Sequence, residues 1–483
     1  MDKTRFIQLL MQLEEKEQLA FQVYLNNEIS NKNPVLSILY TQILKARPDF
    51  PGKGLNKTSL WRKVYPKKPF QELAFNNLLS KLLQKLYEFL AVQIVQTDKG
   101  LQSNLLLDHF RAREIHDYIP FLIKRLELQQ NKSPHQNSDY FWHQVSINAH
   151  KDYAEIIREK RSYNIFLQKE NDYLDLYYHL EKLRIAVDML SRQTVINLDY
   201  KPTHLAAILS HYETRPELLE AYPAIHIYWQ ALQMLRHPNQ RDAYFTLKAL
   251  LSEHFHLFPV TEARTLYNYL LNYCVRKINT GFGQFYEEIL SLYQFLLKAQ
   301  LLEQQGKLTQ WTFINILTAG LRLQNYEWTE DFVHRYKNAL DPNTRDNVYA
   351  YSLASIYFEK GDLGEALSLL QSVAFTDAFY QLAAKIIQLK IYYLEESVDA
   401  FFSLSLATQR FLSRNRQLST YQTKSNEHFL KIIKRLFQLK IKEKYLQQSR
   451  YQVQIQKLKE RIQSTEILGN RKWLEQKLSD LEL

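Results

Sequence analysis

The sequence predicts an all-α fold: an irregular helical-repeat solenoid with a small helical N-terminal region and a C-terminal helical hairpin. Three observations carry that prediction. Only ten glycines and thirteen prolines punctuate 483 residues, too few for the turns of an all-β fold or the glycine loops of an α/β one. Apolar residues recur at helical rather than alternating spacing along nearly the whole chain. Most specifically, three successive windows of 34 residues repeat one small-and-apolar pattern. Phe332, Tyr336 and Ala339 recur as Ala366, Leu370 and Val373, then as Ala400, Leu404 and Ala407. Ile316, Ala319, Gly320 and Leu323 recur as Ala350, Leu353, Ala354 and Tyr357, then as Ala384, Ile387, Gln388 and Ile391. A helix–turn–helix of this length buries its apolar stripe only by stacking on copies of itself.

The elements follow in order. Phe6, Leu9, Leu10, Leu13, Leu19 and Tyr24 set a helix over residues 3–27, Asn31-Lys32-Asn33-Pro34 breaks it, and Val35–Leu44 resumes it. Pro48 to Gly54 is the densest turn signal in the chain. Leu55 to Pro66 reads as a short capped helix closed by proline. A longer amphipathic helix follows Pro69, with Leu73, Leu78, Leu79, Leu82, Leu83, Leu86 and Leu90 inward. The polar break Asn131 to Ser138 closes an N-terminal helical domain, residues 1–132. Residues 139–310 form irregular helix pairs. The first two helices are long, and the second carries apolar groups on more than one face from Tyr173 onward, as a helix sandwiched between layers would. Further breaks fall near Pro216, His237-Pro238-Asn239, Pro259, Gly281-Phe282-Gly283, Gly306 and Pro342. Residues 311–413 hold the regular repeats. Residues 414–483 are basic helices that cap the stack: an uneven stripe over 427–463, a break at Ser464 to Asn470, and a last helix carrying Trp473, Leu474, Leu478 and Leu481.

Residues 347–373 resemble one tetratricopeptide repeat: Leu353, Ala354 and Tyr357 match its first helix, Gly361 its turn, and Ala366, Leu370 and Val373 its second helix. In the flanking copies Gly361 becomes Glu327 and Glu395, and Ile316, Ala350 and Ala384 stand where the family has a tryptophan. The resemblance implies a right-handed superhelix with a concave groove. The whole chain is also similar to a broad group of uncharacterised bacterial proteins with degenerate helical repeats, which implies no function. Residues 55–90, with Trp61, Pro66, Asn76, Asn77, Lys81 and Lys85, are similar to winged-helix domains that precede helical repeats in some transcriptional activators. That likeness implies a helix in the DNA major groove, but no wing hairpin follows and residues 71–90 contain no arginine.

Charge is uneven. Residues 51–100 hold nine basic and three acidic residues, residues 401–450 eleven and two, whereas residues 101–400 hold 30 and 35. The basic stretch includes Arg410, Arg414, Arg416, Lys424, Lys431, Lys434, Arg435, Lys440, Lys442 and Lys444, with residues 431, 434 and 435 on one helical face. It reads either as a surface for an acidic peptide, a phosphate chain or nucleic acid, or as a solvated outer face. No phosphate loop, dinucleotide fingerprint, nucleophile elbow or zinc-protease helix is written in the chain. The scattered histidines, His143 and His150 among them, lack ligand spacing, and the single Cys274 in an apolar run reads as a buried inert thiol. The N-terminal apolar run is too short and acid-flanked for a secretory signal, and no stretch is apolar enough to span a membrane.

Together these features lead us to expect a non-enzymatic cytoplasmic scaffold or adaptor without cofactor, holding a protein or peptide partner through Lys431, Lys434, Arg435, Arg410 and Arg414. The alternative is a DNA-associated regulator that binds through Asn76, Asn77, Lys81 and Lys85.

Overall fold

In the computed structural model the scarcity of turn residues becomes long helices joined by short links. The structure describes residues 4–47, 56–158, 163–193, 200–304, 306–372, 377–442 and 447–482. Among them are 24 α-helices, two 3-10 turns and no strand, with one isolated bridge between Gln304 and Lys307. The early connector at Pro48 to Gly54 lies outside the described residues, as do Leu55, Val373 and Lys444. The chain divides into two units, Met1–Met189 with Lys201–Tyr228, and Leu190–Tyr200 with Trp229–Leu483.

The first unit opens with α1 (Arg5–Leu10), α2 (Glu15–Asn26), α3 (Pro34–Leu44), α4 (Lys57–Val64) and α5 (Glu72–Thr97) around one core. Local chemistry starts these helices. Glu14 and Glu17 form a capping box before α2, Asn33 caps α3 ahead of Pro34, and Asn56 accepts from the Thr58 amide before α4. Phe21 sits at the centre, 4.8 Å from Tyr40 edge-on and 5.4 Å from Phe89. Tyr40 keeps its hydroxyl satisfied by donating to the Gln18 carbonyl at 2.8 Å. After α5 only Asp98 intervenes before α6 (Lys99–Ala112), so no wing hairpin follows the helix that carries Asn76 to Lys85.

With α7 (Ile119–Gln130) and α8 (Ser138–Ile157), α6 builds a second small core. The helix α9 (Ile165–Gln193) departs from the sandwich expected of it. Leu174 and Tyr178 stay exposed and burial begins only at Leu180, so the surplus apolar face of its first half meets solvent. The unit closes with α10 (Leu205–Glu213), α11 (Glu217–Ala221) and the start of α12 (Pro223–Arg236).

The second unit continues through α13 (Asp242–His254), α14 (Val260–Asn279) and α15 (Phe285–Lys298). Three helix pairs follow: α16 (Gln310–Arg322) with α17 (Tyr326–Tyr336), α18 (Arg345–Lys360) with α19 (Leu363–Ser372), and α20 (Ala378–Leu394) with α21 (Val398–Arg414). Each first helix packs on its own partner, and α18 also touches α16 and α20, so the first helices form a continuous layer. The breaks expected from His237-Pro238-Asn239, Pro259, Gly281-Phe282-Gly283, Gly306 and Pro342 all fall between helices.

One turn recurs through this unit. Gly281, Gln300, Gln324, Gly361 and Glu396 have left-handed backbones just past a helix end. In each case the next amide donates back to the carbonyl five residues earlier, at 2.9–3.0 Å: Phe282 to Lys277, Leu301 to Leu296, Asn325 to Gly320, Asp362 to Tyr357, and Ser397 to Tyr392. The counterparts of Gly361 are therefore Gln324 and Glu396, not Glu327 and Glu395. The third pair is also displaced. Its buried face is Phe401, Ser405, Thr408 and Leu412, while Ala407 is exposed and Ala400 and Leu404 are only half-buried. A spacing of 35 from Leu363 to Val398 replaces 34, which rotates the stripe by one position.

Beyond the pairs lie α22 (Thr420–Lys442), α23 (Gln448–Ser464) and α24 (Arg471–Ser479), which share a core with α20 and α21. The stripe over 427–463 is uneven because it belongs to two helices, α22 and α23, packed on one another. Arg471 fixes the last helix by donating to the Ile462 and Thr465 carbonyls.

Close packing is tightest where α16 meets α17. A Cβ added to Gly320 would lie 2.0 Å from Oγ1 of Thr329, which is fully buried and donates to the Asn325 carbonyl at 2.6 Å. Gly320→Ala is expected to destabilise the protein by about 1–3 kcal/mol despite the better helix propensity of alanine. Urea melts of a double-mutant cycle check this, and adding Thr329→Ala should restore much of the loss. Conversely, Gln324→Gly relieves a left-handed residue and should raise stability by about 1 kcal/mol in the same assay.

Candidate binding groove

The third pair and its neighbour enclose a groove of about 800 Å³, lined by Leu370 of α19, by Gln381, Ala384, Lys385 and Gln388 of α20, and by Ala407, Arg410, Phe411 and Arg414 of α21. Helical spacing aligns these groups: residues 381, 385 and 388 share one face of α20, and residues 407, 410, 411 and 414 one face of α21. Ala384 and Ala407 leave the space that larger side chains would fill. Three cations, Lys385, Arg410 and Arg414, border the groove and no carboxylate lines it. Among the described residues none of the three is in an ion pair.

The other expected basic residues do not gather in one place. Lys431 lines a separate recess of about 500 Å³ with Lys424, His428, Arg461 and Glu466. Lys434 points to α21 and donates to Gln409 at 3.2 Å, its pKa lowered by burial. Arg435 points to α23 and donates to Gln454 at 2.9 Å. Thus one helical face divides among three surroundings, since α21 and α23 flank α22.

In the first unit Asn76 accepts from Lys57, which also pairs with Glu72 at 2.7 Å, and Lys85 pairs with Glu88 at 2.7 Å. Asn77 and Lys81 remain exposed on α5. His150 is a core residue within hydrogen-bonding distance of Arg111 at 3.3 Å and Asn104 at 3.2 Å; burial and then Arg111 push it down to about 4. Cys274 is buried against the Tyr244 hydroxyl at 3.2 Å, and burial pushes its thiol up to about 12. A thiol so raised is not a nucleophile at neutral pH. Among the described residues no cluster of His, Cys, Asp and Glu could hold a metal ion, and no helix is long and apolar enough to cross a membrane.

Lys390 is a site the sequence reading missed. It is 8% exposed on α20, and its amine donates to Asn470 Oδ1 at 2.7 Å. Two rings flank the amine, Trp473 at 5.3 Å and Phe358 at 5.6 Å. Burial lowers its pKa to about 8; Glu359 opposes that shift and Arg322 adds to it. A signal was present, because Lys390 is the one charged residue in the mostly apolar stretch Ile386-Ile387-Gln388-Leu389-Lys390-Ile391 on a helix. Asn470, eighty residues away and left-handed at φ 54°, could not be paired with it from sequence.

No protein-family model, no curated protein and no solved structure matches the chain.

Holding Lys390 charged costs the fold about 3 kcal/mol relative to a solvated lysine. The group binds fewer protons folded than unfolded between about pH 8 and 10.5, so its contribution to stability rises with pH across that window. Urea melts at pH 7, 8, 9 and 10 should show the wild type gaining on Lys390→Met as pH rises. Parallel pH curves for the two proteins would contradict the shift.

Proposed function

We propose that this protein is a non-catalytic interaction protein whose cationic groove holds an acidic segment of a partner protein. The observation that carries the reading is the groove itself: Lys385, Arg410 and Arg414 border about 800 Å³ of open space without one carboxylate among the lining residues. Cations that form no ion pair among the described residues attract an external counter-charge, and guanidinium groups suit carboxylates because they bind with paired, parallel hydrogen bonds. Phe411 and Leu370 supply apolar wall for the stem of an extended peptide.

The tetratricopeptide-like reading of residues 311–413 supports the same conclusion. The resemblance at residues 347–373, the layered packing of α16, α18 and α20, and the recurring left-handed turn agree with a short stack of such units. In this reading the stack presents a rigid surface to its partner, and α22–α24 close its end. A DNA-binding role draws less support. Affinity for duplex DNA commonly rests on about six to ten phosphate contacts, and the candidate Lys85 already pairs with Glu88.

Fluorescence anisotropy with a labelled twelve-residue Asp/Glu-rich peptide tests the proposal. Binding should weaken steeply with salt, and Arg410→Glu with Arg414→Glu should reduce affinity by at least about thirtyfold, from roughly 1 kcal/mol or more per reversed charge. Lys81→Glu with Lys85→Glu should leave it unchanged. Equal binding by the groove variant, or tighter binding of duplex DNA that is lost with Lys81 and Lys85, would overturn the reading.

A further inference from the structure

A second recess, of about 260 Å³, lies among α16, α18, α20 and α22 and is independent of the groove described above. Arg322 stands at the end of α16, Phe358 and Glu359 on α18, Ile386 and Lys390 on α20, and Asn470 ahead of α24. The Lys390 ammonium carries three donors, yet among the described residues it has one hydrogen-bond acceptor, Asn470, and no carboxylate within 4 Å. A nine-tenths buried cation that forms no ion pair among the described residues, and that Glu359 attracts only from beyond 4 Å, is an expensive feature for a fold to hold. Such cost is ordinarily kept where the charge meets something that is not part of the chain.

We propose that this recess binds a small organic monoanion, a carboxylate with an apolar body, whose carboxylate rests between Lys390 and Arg322. Size, charge and lining together select that class. The volume falls just below the range of about 300–1,000 Å³ typical of pockets for drug-sized ligands, so the ligand is small. Lys390 and Arg322 against Glu359 leave one net positive charge, which favours a monoanion and disfavours phosphate dianions. Phe358 and Ile386 offer an apolar wall to the body of the ligand, and the Trp473 ring lies 5.3 Å from the amine. Because α22 and the segment before α24 complete the recess, a bound carboxylate also ties the C-terminal helices to the repeats.

The test uses the full chain and three probes, acetate, 4-methylvalerate and 4-fluorophenylacetate, with 4-fluorophenylacetamide as the uncharged control and inorganic phosphate as the dianion. Binding is followed by ligand-observed NMR at pH 7. The apolar carboxylates should bind at least about tenfold more tightly than acetate, phosphate or the amide, since each charge-assisted hydrogen bond and the apolar wall add to affinity. Lys390→Met should lose at least about tenfold in affinity for both apolar carboxylates while melting no lower than the wild type. Arg322→Gln, a change at an exposed position, should lose severalfold and guards against a packing effect of the first variant. The proposal is overturned if no carboxylate binds, if the amide binds as well as the acid, or if both variants bind as the wild type does.

Discussion

The stack of helices rests on one constraint: a single helix pair cannot bury its apolar face, so every pair must approach its neighbours closely. Where α16 meets α17, only glycine at position 320 leaves room for Thr329, and in the next pair Ala354 and Ala366 are both fully buried. The chain leaves five helices of this unit through the same turn. Each time a left-handed residue reverses the helix and its successor's amide returns to the carbonyl five back. Once direction is set in this way, the first helices fall against one another and their partners lie to the side.

Electrostatics then divide the surface by whether charges find partners inside the chain. Lys57 with Glu72, and Lys85 with Glu88, pair locally in the first unit, and such exposed pairs add little to stability. On α20 and α21, Lys385, Arg410 and Arg414 form no ion pair among the described residues and border a groove that Ala384 and Ala407 also line. Lys390 is the buried version of the same condition. An amide and two aromatic rings lie against its amine and ease the loss of water, while Glu359 attracts it only from beyond 4 Å.

Helix content and the order of elements were legible because they depend on local spacing: the prolines and glycines read as breaks in the second unit all fall between helices. Register was less legible. A 34-residue offset from Gly361 points to Glu327 and Glu395, but the left-handed positions Gln324 and Glu396 carry no glycine and stand 37 before and 35 after it, and one extra residue moves the third stripe from Ala400 to Phe401. The site was legible in part. Arg410 and Arg414 stand out by charge alone, but Lys385 completes their groove only through tertiary packing. Lys431, Lys434 and Arg435 share a helical face, yet meet different neighbours because helices lie on both sides of α22. Lys390 and Asn470 form a pair that no local rule can see.

The central claim is that an acidic segment lies along the groove between α20 and α21. Photocrosslinking measures it most directly, with benzoylphenylalanine placed at Gln388 inside the groove or at Gln454 on α23. An Asp/Glu-rich peptide should crosslink strongly at position 388, weakly at 454, and the first signal should fall as salt is raised. Equal yields at the two positions, or a signal at 388 indifferent to salt, would contradict the account.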